Sequence, residues 1–240
     1  MWLPIAPQTG ERLHGWWLSP PAEPQGTVLY CHGKNGNVSR NLKSANRLVK
    51  LGFNVFLFDY RGYGRSSGRF PNEQRIYEDA QVALNYLLDR RGIDPKTLLV
   101  YGHSLGGAVA IELATCNPNI AGLIIESSFT SLQDTIDFMG SYAFLPTQLL
   151  LSQYFNSLSK VGALKMPVLY IHGTQDDTVP DRMSQMLFAA TNAPKQLYLV
   201  AGAGHTNVAS IASNEYLETV SEFARSRCNL SSPVLQFSSD

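Results

Sequence analysis

The pentapeptide Gly102-His103-Ser104-Leu105-Gly106 joins two stretches of opposite character. Before it, Thr97–Tyr101 (TLLVY) is short, apolar and rich in strand formers. After it, Leu105–Ala114 (LGGAVAIELA) is small-chained and compatible with a helix. A serine on such a strand-to-helix turn is held in a strained backbone conformation, with its hydroxyl raised above the sheet edge. The flanking glycines allow the sharp bend and the close approach of helix to strand. The bare G-x-S-x-G pattern recurs by chance, so its setting between strand and helix is what makes it a candidate nucleophile elbow.

The rest of the chain supplies the sheet that an elbow needs. Thr27–Cys31 (TVLYC), Asn54–Phe58 (NVFLF), Ile120–Ile125 (IAGLII), Val168–Ile171 (VLYI) and Gln196–Val200 (QLYLV) are short apolar runs, the pattern of strands buried on both faces. Between the first two, Val38, Leu42, Ala45, Leu48 and Val49 recur at helical spacing. Ile76, Ala80, Ala83, Leu84, Leu87 and Leu88 mark a second amphipathic helix. Leu13–Leu18 (LHGWWL) suits an edge hairpin, because prolines follow it and break any helix. Strands alternating with helices predict an α/β protein with a mostly parallel twisted sheet, covered by helices on both faces.

One interval breaks the alternation. Phe129–Lys165 is too long for a simple connection and carries Phe138, Met139, Tyr142, Phe144, Leu145, Leu149, Leu150, Leu151, Tyr154 and Phe155, so it reads as a small helical cap over the strand ends. Residues 1–240 are expected to form one domain with this insertion at about 129–165, and polar Asn229–Asp240 is expected to be a frayed tail.

Composition excludes several classes of function. The 240 residues are enough for a substantial buried core, and 44% hydrophobic content argues against disorder. Nineteen basic side chains balance nineteen acidic ones, so no charge surplus points to nucleic acid. No apolar run reaches the length of a membrane span, and the N-terminus lacks the basic and apolar regions of a leader. Cys31, Cys116 and Cys228 are odd in number and lack metal-ligand spacing, which predicts free thiols in a reducing, cytoplasmic setting.

A serine hydroxyl needs a histidine base, itself oriented by a carboxylate. Of five histidines, His205 (Gly202-Ala203-Gly204-His205) follows the last apolar strand, where a loop can return it to the elbow. The segment His172-Gly173-Thr174-Gln175-Asp176-Asp177-Thr178-Val179-Pro180 follows the strand before it and supplies the acid. With Asp176, the chain order is Ser104, Asp176, His205. The oxyanion formed during attack needs two backbone N–H donors. Leu105, directly after the serine, supplies one. The turn His32-Gly33-Lys34-Asn35-Gly36-Asn37 supplies the second from Lys34. This turn lacks the G-K-[ST] ending and the G-x-G-x-x-G spacing of phosphate-binding loops.

Taken together, these blocks resemble the α/β-hydrolase superfamily. Tyr30-Cys31-His32-Gly33, Asp59-Tyr60-Arg61-Gly62-Tyr63-Gly64-Arg65-Ser66, the elbow at Gly102–Gly107, and the acid and histidine turns occur in its order, from about Thr27 to Phe223. The combination looks most like the small-cap branch of serine aminopeptidase-like hydrolases and protein-depalmitoylating thioesterases. That resemblance implies a Ser-His-Asp triad, no cofactor, and cleavage of esters, thioesters or amides. It places the acid at Asp176, with Asp177 as the neighbouring competitor and Glu126 as an outsider at another strand end. One departure is Lys34, where that branch commonly has Asn. The backbone donor survives, but a long cation stands at the pocket rim.

His32, His103 and His172 at strand ends invite a metal reading, yet no carboxylate cluster completes a ligand set; their contexts fit turns and pocket walls. Asp59 and Arg61 fit a turn-stabilising network. The expected activity is acyl transfer from a small-molecule or acylated substrate, a carboxylic ester or acyl thioester, to Ser104 and then to water. An aminopeptidase-like amide hydrolase and a non-catalytic binding protein are the alternatives.

Overall fold

The computed structural model describes residues 1–6, 10–69, 72–139 and 153–230. The apolar runs form strands β3 (Gly26–Cys31), β4 (Phe53–Phe58), β5 (Leu98–His103), β6 (Gly122–Glu126), β7 (Val168–Gly173) and β8 (Lys195–Val200). Two further strands, β1 (Trp2–Ala6) and β2 (Glu11–Leu18), pair antiparallel as a hairpin, and β2 adds antiparallel to β4. The eight-stranded order is β1-β2-β4-β3-β5-β6-β7-β8, and every pairing from β4 to β8 is parallel. The mostly parallel sheet expected from the sequence is therefore present.

Alternate residues of each strand feed two apolar layers. On β5, Leu98 and Val100 face one core, while Leu99 and Tyr101 face the other. The first layer is closed by α2 (Glu73–Asn85), α3 (Leu105–Cys116), α4 (Leu132–Met139) and α5 (Asp181–Ala190). The second is closed by α1 (Leu42–Lys50), α6 (Val208–Ile211) and α7 (Asn214–Cys228). Helix α3 is apolar on nearly all sides because it packs against β3, β5 and β6 at the centre of the sheet. The Asn72 side chain caps α2 by accepting from Arg75 N–H at 2.9 Å.

Of the expected cap, α4 and the stretch from Gln153 to Lys165 are described; Tyr142, Phe144, Leu145, Leu149, Leu150 and Leu151 lie outside the described residues. The stem that returns from it is pinned: Tyr154 N–H donates to Glu73 at 2.7 Å, and Lys160 pairs with Glu112 at 2.7 Å. The expected tail lies outside the described residues from position 231 onward, and Leu230, at its start, is buried in the second core. Asp59 and Arg61 are built into turns. Asp59 accepts from Val38 N–H at 2.8 Å and Arg65 N–H at 3.2 Å, while Arg61 binds Asp79 through both its backbone N–H and Nε at 2.7 Å. Among the described residues, no helix is long and apolar enough to cross a membrane.

Candidate active site

Four parallel strands deliver the candidate residues to one edge of the sheet, at their C-terminal ends, where α/β sheets place their ligands. Ser104 is the single residue between β5 and α3 and adopts φ 54°, ψ −120°. A non-glycine residue in that region is strained by about 1–3 kcal/mol, which the surroundings must offset. Here Ser104 N–H donates to Glu126 O at 2.9 Å, Gly107 N–H donates to Ser104 O at 2.8 Å, and Ser128 Oγ donates to the same carbonyl at 2.9 Å. Gly106 lets the elbow pack down: a Cβ there would collide with the backbone carbonyl of Cys31.

The base and the acid arrive on turns that interlock. Gln175 N–H donates to Ala203 O at 2.8 Å and Thr174 N–H to Val200 O at 3.0 Å. Gly173 permits this approach, since a Cβ would meet the Ala203 backbone. Two contacts hold the His205 loop: Gly204 N–H donates to Asn207 Oδ1 at 2.7 Å, and His103 Nε2 lies 3.0 Å from His205 O. As a result, His205 Nε2 lies 3.1 Å from Ser104 Oγ, and His205 Nδ1 lies 2.7 Å from Asp176 Oδ2. The Asp176 side chain is fully buried, while His205 keeps 15% exposure on the solvent side.

Asp176 is placed by its own turn. Its Oδ1 accepts from Thr178 N–H at 3.0 Å and Val179 N–H at 2.8 Å, and its Oδ2 faces His205 and also His172 Nε2 at 3.1 Å. Burial by itself favours the neutral acid. Hydrogen bonds from His172, His205 and the turn backbone outweigh it and hold the carboxyl well below the usual range. Asp177 is exposed, and its carboxylate meets the Thr178 hydroxyl at 3.3 Å. Glu126 is buried with Oε2 accepting from Tyr101 at 2.8 Å and Tyr216 at 2.7 Å, away from His205.

The turn after β3 lies against the elbow. A Cβ built on Gly33 would sit 3.4 Å from Ser104 Cβ, so Lys34 follows a residue in contact with the nucleophile. Leu105 opens α3, where the first N–H groups have no partner within the helix. Burial pushes the Lys34 ammonium below its ordinary range.

The three other strand-end histidines are engaged locally. His32 Nδ1 lies 2.8 Å from Gly33 O, His103 contacts His205 O, and His172 is wrapped by Asp176, Val179 and Ser184. Among the described residues, no group of three or more His, Cys, Asp or Glu is arranged to hold a metal ion. The sequence predicts His172 as a turn or pocket-wall residue; its position four residues before Asp176 is the one signal there of the 3.1 Å contact between them.

The hydrolase family described as "Serine aminopeptidase, S33" matches residues 22–160. The chain belongs to this α/β-hydrolase family. It is 37% identical over 222 residues to an uncharacterized protein of Mycobacterium tuberculosis, covering 91% of this chain and 77% of that one. It is 36% identical over 198 residues to the alpha/beta hydrolase domain-containing protein WAV2 of Arabidopsis thaliana, covering 77% of this chain and 64% of that one. Among solved structures, the Pyrococcus furiosus esterase Pf2001 superposes with TM-score 0.75 at 24% identity, covering 95% and 91% of the two chains. Est1E from Butyrivibrio proteoclasticus, solved with ferulic acid bound, gives TM-score 0.77 at 18% identity, covering 95% and 99%. These structural likenesses concern the fold.

Proposed function

We propose that the protein is a serine hydrolase that cleaves a carboxylic ester or acyl thioester through an acyl-enzyme on Ser104. The observation that carries this reading is the continuous contact from Asp176 through His205 to Ser104, at 2.7 and 3.1 Å. Asp176 accepts from His205 Nδ1–H, which leaves the Nε2 lone pair directed at the serine hydroxyl. As Ser104 Oγ attacks the acyl carbon, its proton passes to His205 Nε2. The negative charge that builds on the acyl oxygen is met by the N–H groups of Leu105 and Lys34. His205 then gives the proton to the departing alcohol or thiol. Water enters, loses a proton to His205 and attacks the acyl-enzyme; His205 then returns that proton to Ser104 Oγ as the ester bond breaks, releasing the acid and free Ser104.

The name of the matched family raises a second reading, an aminopeptidase. Such an enzyme needs a carboxylate to hold the substrate's free ammonium group. The buried carboxylates nearest the elbow are already committed, Asp176 to two imidazoles and Glu126 to two tyrosine hydroxyls, which favours esters and thioesters. A binding protein on this fold would have no need of a serine–histidine–carboxylate chain at hydrogen-bond distances. The apolar insertion at 129–165 is proposed to act as a small cap on a single domain. The free Cys31, Cys116 and Cys228 support a reducing compartment such as the cytoplasm.

A panel of p-nitrophenyl esters, acyl thioesters and aminoacyl anilides, assayed with the native protein and Ser104→Ala, tests the proposal. Turnover of esters or thioesters that disappears in the variant is expected. Selective turnover of aminoacyl anilides would move the aminopeptidase reading ahead, and turnover retained by Ser104→Ala would overturn the proposal.

A further inference from the structure

His172 is fully buried at the end of β7 and takes no part in the chemistry as described above. Its Nε2 lies 2.8 Å from Val179 O and 3.1 Å from Asp176 Oδ2, and its Nδ1 lies 2.6 Å from Ser184 Oγ on α5. A carbonyl and a carboxylate oxygen can only accept, so Nε2 carries the proton. In the neutral ring Nδ1 is then a lone pair, and the Ser184 hydroxyl donates to it.

We propose that His172 is a positioning residue for the triad. Its Nε2–H shares Asp176 Oδ2 with His205, fixing the carboxylate plane and limiting how strongly that oxygen holds the His205 imidazolium. This inference deepens the acyl-transfer reading of the same site and rests on it.

Asp176 receives four donors on two oxygens, two backbone N–H groups on Oδ1 and two imidazole N–H groups on Oδ2. The backbone pair alone leaves the carboxylate free to tilt about its side-chain bonds, and the second imidazole removes that freedom. Because both imidazoles use one oxygen, each draws on the same negative charge. Without His172, Oδ2 has His205 as its single imidazole partner and stabilises the imidazolium more. Other titratable groups face the pair from a different side. His103 on β5 lies beside His205 with ring centres 5.2 Å apart and planes tilted by 52°, and Glu126 of β6 lies across from His103 in the strand register. Asp177 is exposed on the acid turn, and α5 presents the Ser184 hydroxyl to His172. Removing His172 leaves these groups in place.

The test combines ¹⁵N-histidine NMR of the full chain with the pH profile of p-nitrophenyl acetate hydrolysis, for the native protein, His172→Leu and His172→Gln. In the native spectrum His172 is expected as the Nε2–H tautomer. In His172→Leu, kcat should fall on the order of tenfold with little change in KM. The acidic limb of kcat/KM should move to higher pH, because Asp176 Oδ2 then serves a single imidazole. The Gln amide can donate to Asp176 and should return both toward the native position. A packing role alone would lower activity or Tm in both variants and leave the limb in place, which would overturn the inference. An Nδ1–H tautomer in the native spectrum would overturn it too, even if neither variant folds. If the native protein fails to hydrolyse acyl substrates, the proposed function falls, while the tautomer of His172 in the native spectrum still decides whether its Nε2–H faces Asp176.

Discussion

Asp176→Asn should cripple the enzyme with little change in its shape, for a reason that the hydrogen bonds make specific. Thr178 and Val179 donate backbone N–H groups to Asp176 Oδ1, so the oxygen of an asparagine amide must stay on that side. The amide NH₂ then occupies the place of Oδ2 and faces His205 Nδ1, 2.7 Å away in the native site, and also the His172 Nε2–H, 3.1 Å away, which keeps Val179 O as its acceptor. A donor there forces His205 to accept at Nδ1 and carry its proton on Nε2, the nitrogen directed at Ser104. The base then holds a proton where it must receive one, and no carboxylate offsets the imidazolium. Loss of kcat by about 10³–10⁴ is expected, or roughly 4–5.5 kcal/mol of transition-state stabilisation. Asp177→Asn should cost less than about twofold, because Asp177 is exposed and its carboxylate meets the neighbouring Thr178 hydroxyl. Steady-state kinetics on one p-nitrophenyl ester at pH 7.5, with circular dichroism to confirm folding, decides the matter. Retention of more than a tenth of the activity in Asp176→Asn, or a crippling effect of Asp177→Asn, would refute the placement of the carboxylate.

Three further outcomes follow from the same geometry. Gly106→Ala should lower stability by about 1–3 kcal/mol and Tm by several degrees, because the added Cβ meets the fixed Cys31 carbonyl; that clash outweighs a helix-propensity gain of about 1 kcal/mol, and an unchanged melting curve would contradict it. Asp176 is held below the ordinary carboxylate range, so its contribution to stability is complete above the unfolded value of about 4 and is lost as pH falls through the lower folded value. The Tm advantage of the native protein over Asp176→Asn should therefore shrink from pH 5 to pH 2, and an advantage that grows over that interval would contradict the assignment. Exhaustive dialysis against a chelator should leave turnover intact, since a histidine-activated serine needs no Lewis acid; a loss restored by zinc would revive a metal role for His32, His103 and His172.

The parallel strands from β3 to β7 were legible because each is a short apolar run that is largely buried, whereas β8 at the sheet edge is only partly buried along Lys195–Leu199, so its apolar run is not a strand buried on both faces. The elbow was legible because a strand former, a turn and a small-chained helix abut at Ser104. Strand β1 was not legible: it is an edge strand with Pro4 in its centre and an irregular register beside it, and exposed Trp2 breaks the apolar pattern. Helices α5 and α7 are absent from the sequence reading, although Tyr216, Val220 and Phe223 of α7 recur at helical spacing; α5 buries fewer apolar positions, Met183 and Leu187. At the site, chain order pointed to Ser104, Asp176 and His205, but the distinction between Asp176 and Asp177 is made by backbone N–H groups of the turn, which no residue type displays. Glu126 stood in the sequence only as an outsider at another strand end. Its partners Tyr101 and Tyr216 come from another strand and a distant helix, so its commitment shows only once the chain is folded. His172 was hidden for the same reason, because Ser184 and Asp176 reach it through tertiary packing.

The central claim is that Ser104 becomes covalently acylated. Incubation of the full chain with a fluorophosphonate, followed by intact-mass measurement and peptide mapping, tests it most directly. The account predicts one adduct per chain, located on Ser104, absent from Ser104→Ala and strongly slowed in His205→Ala. An adduct on another residue, or equal labelling of Ser104→Ala, would contradict it.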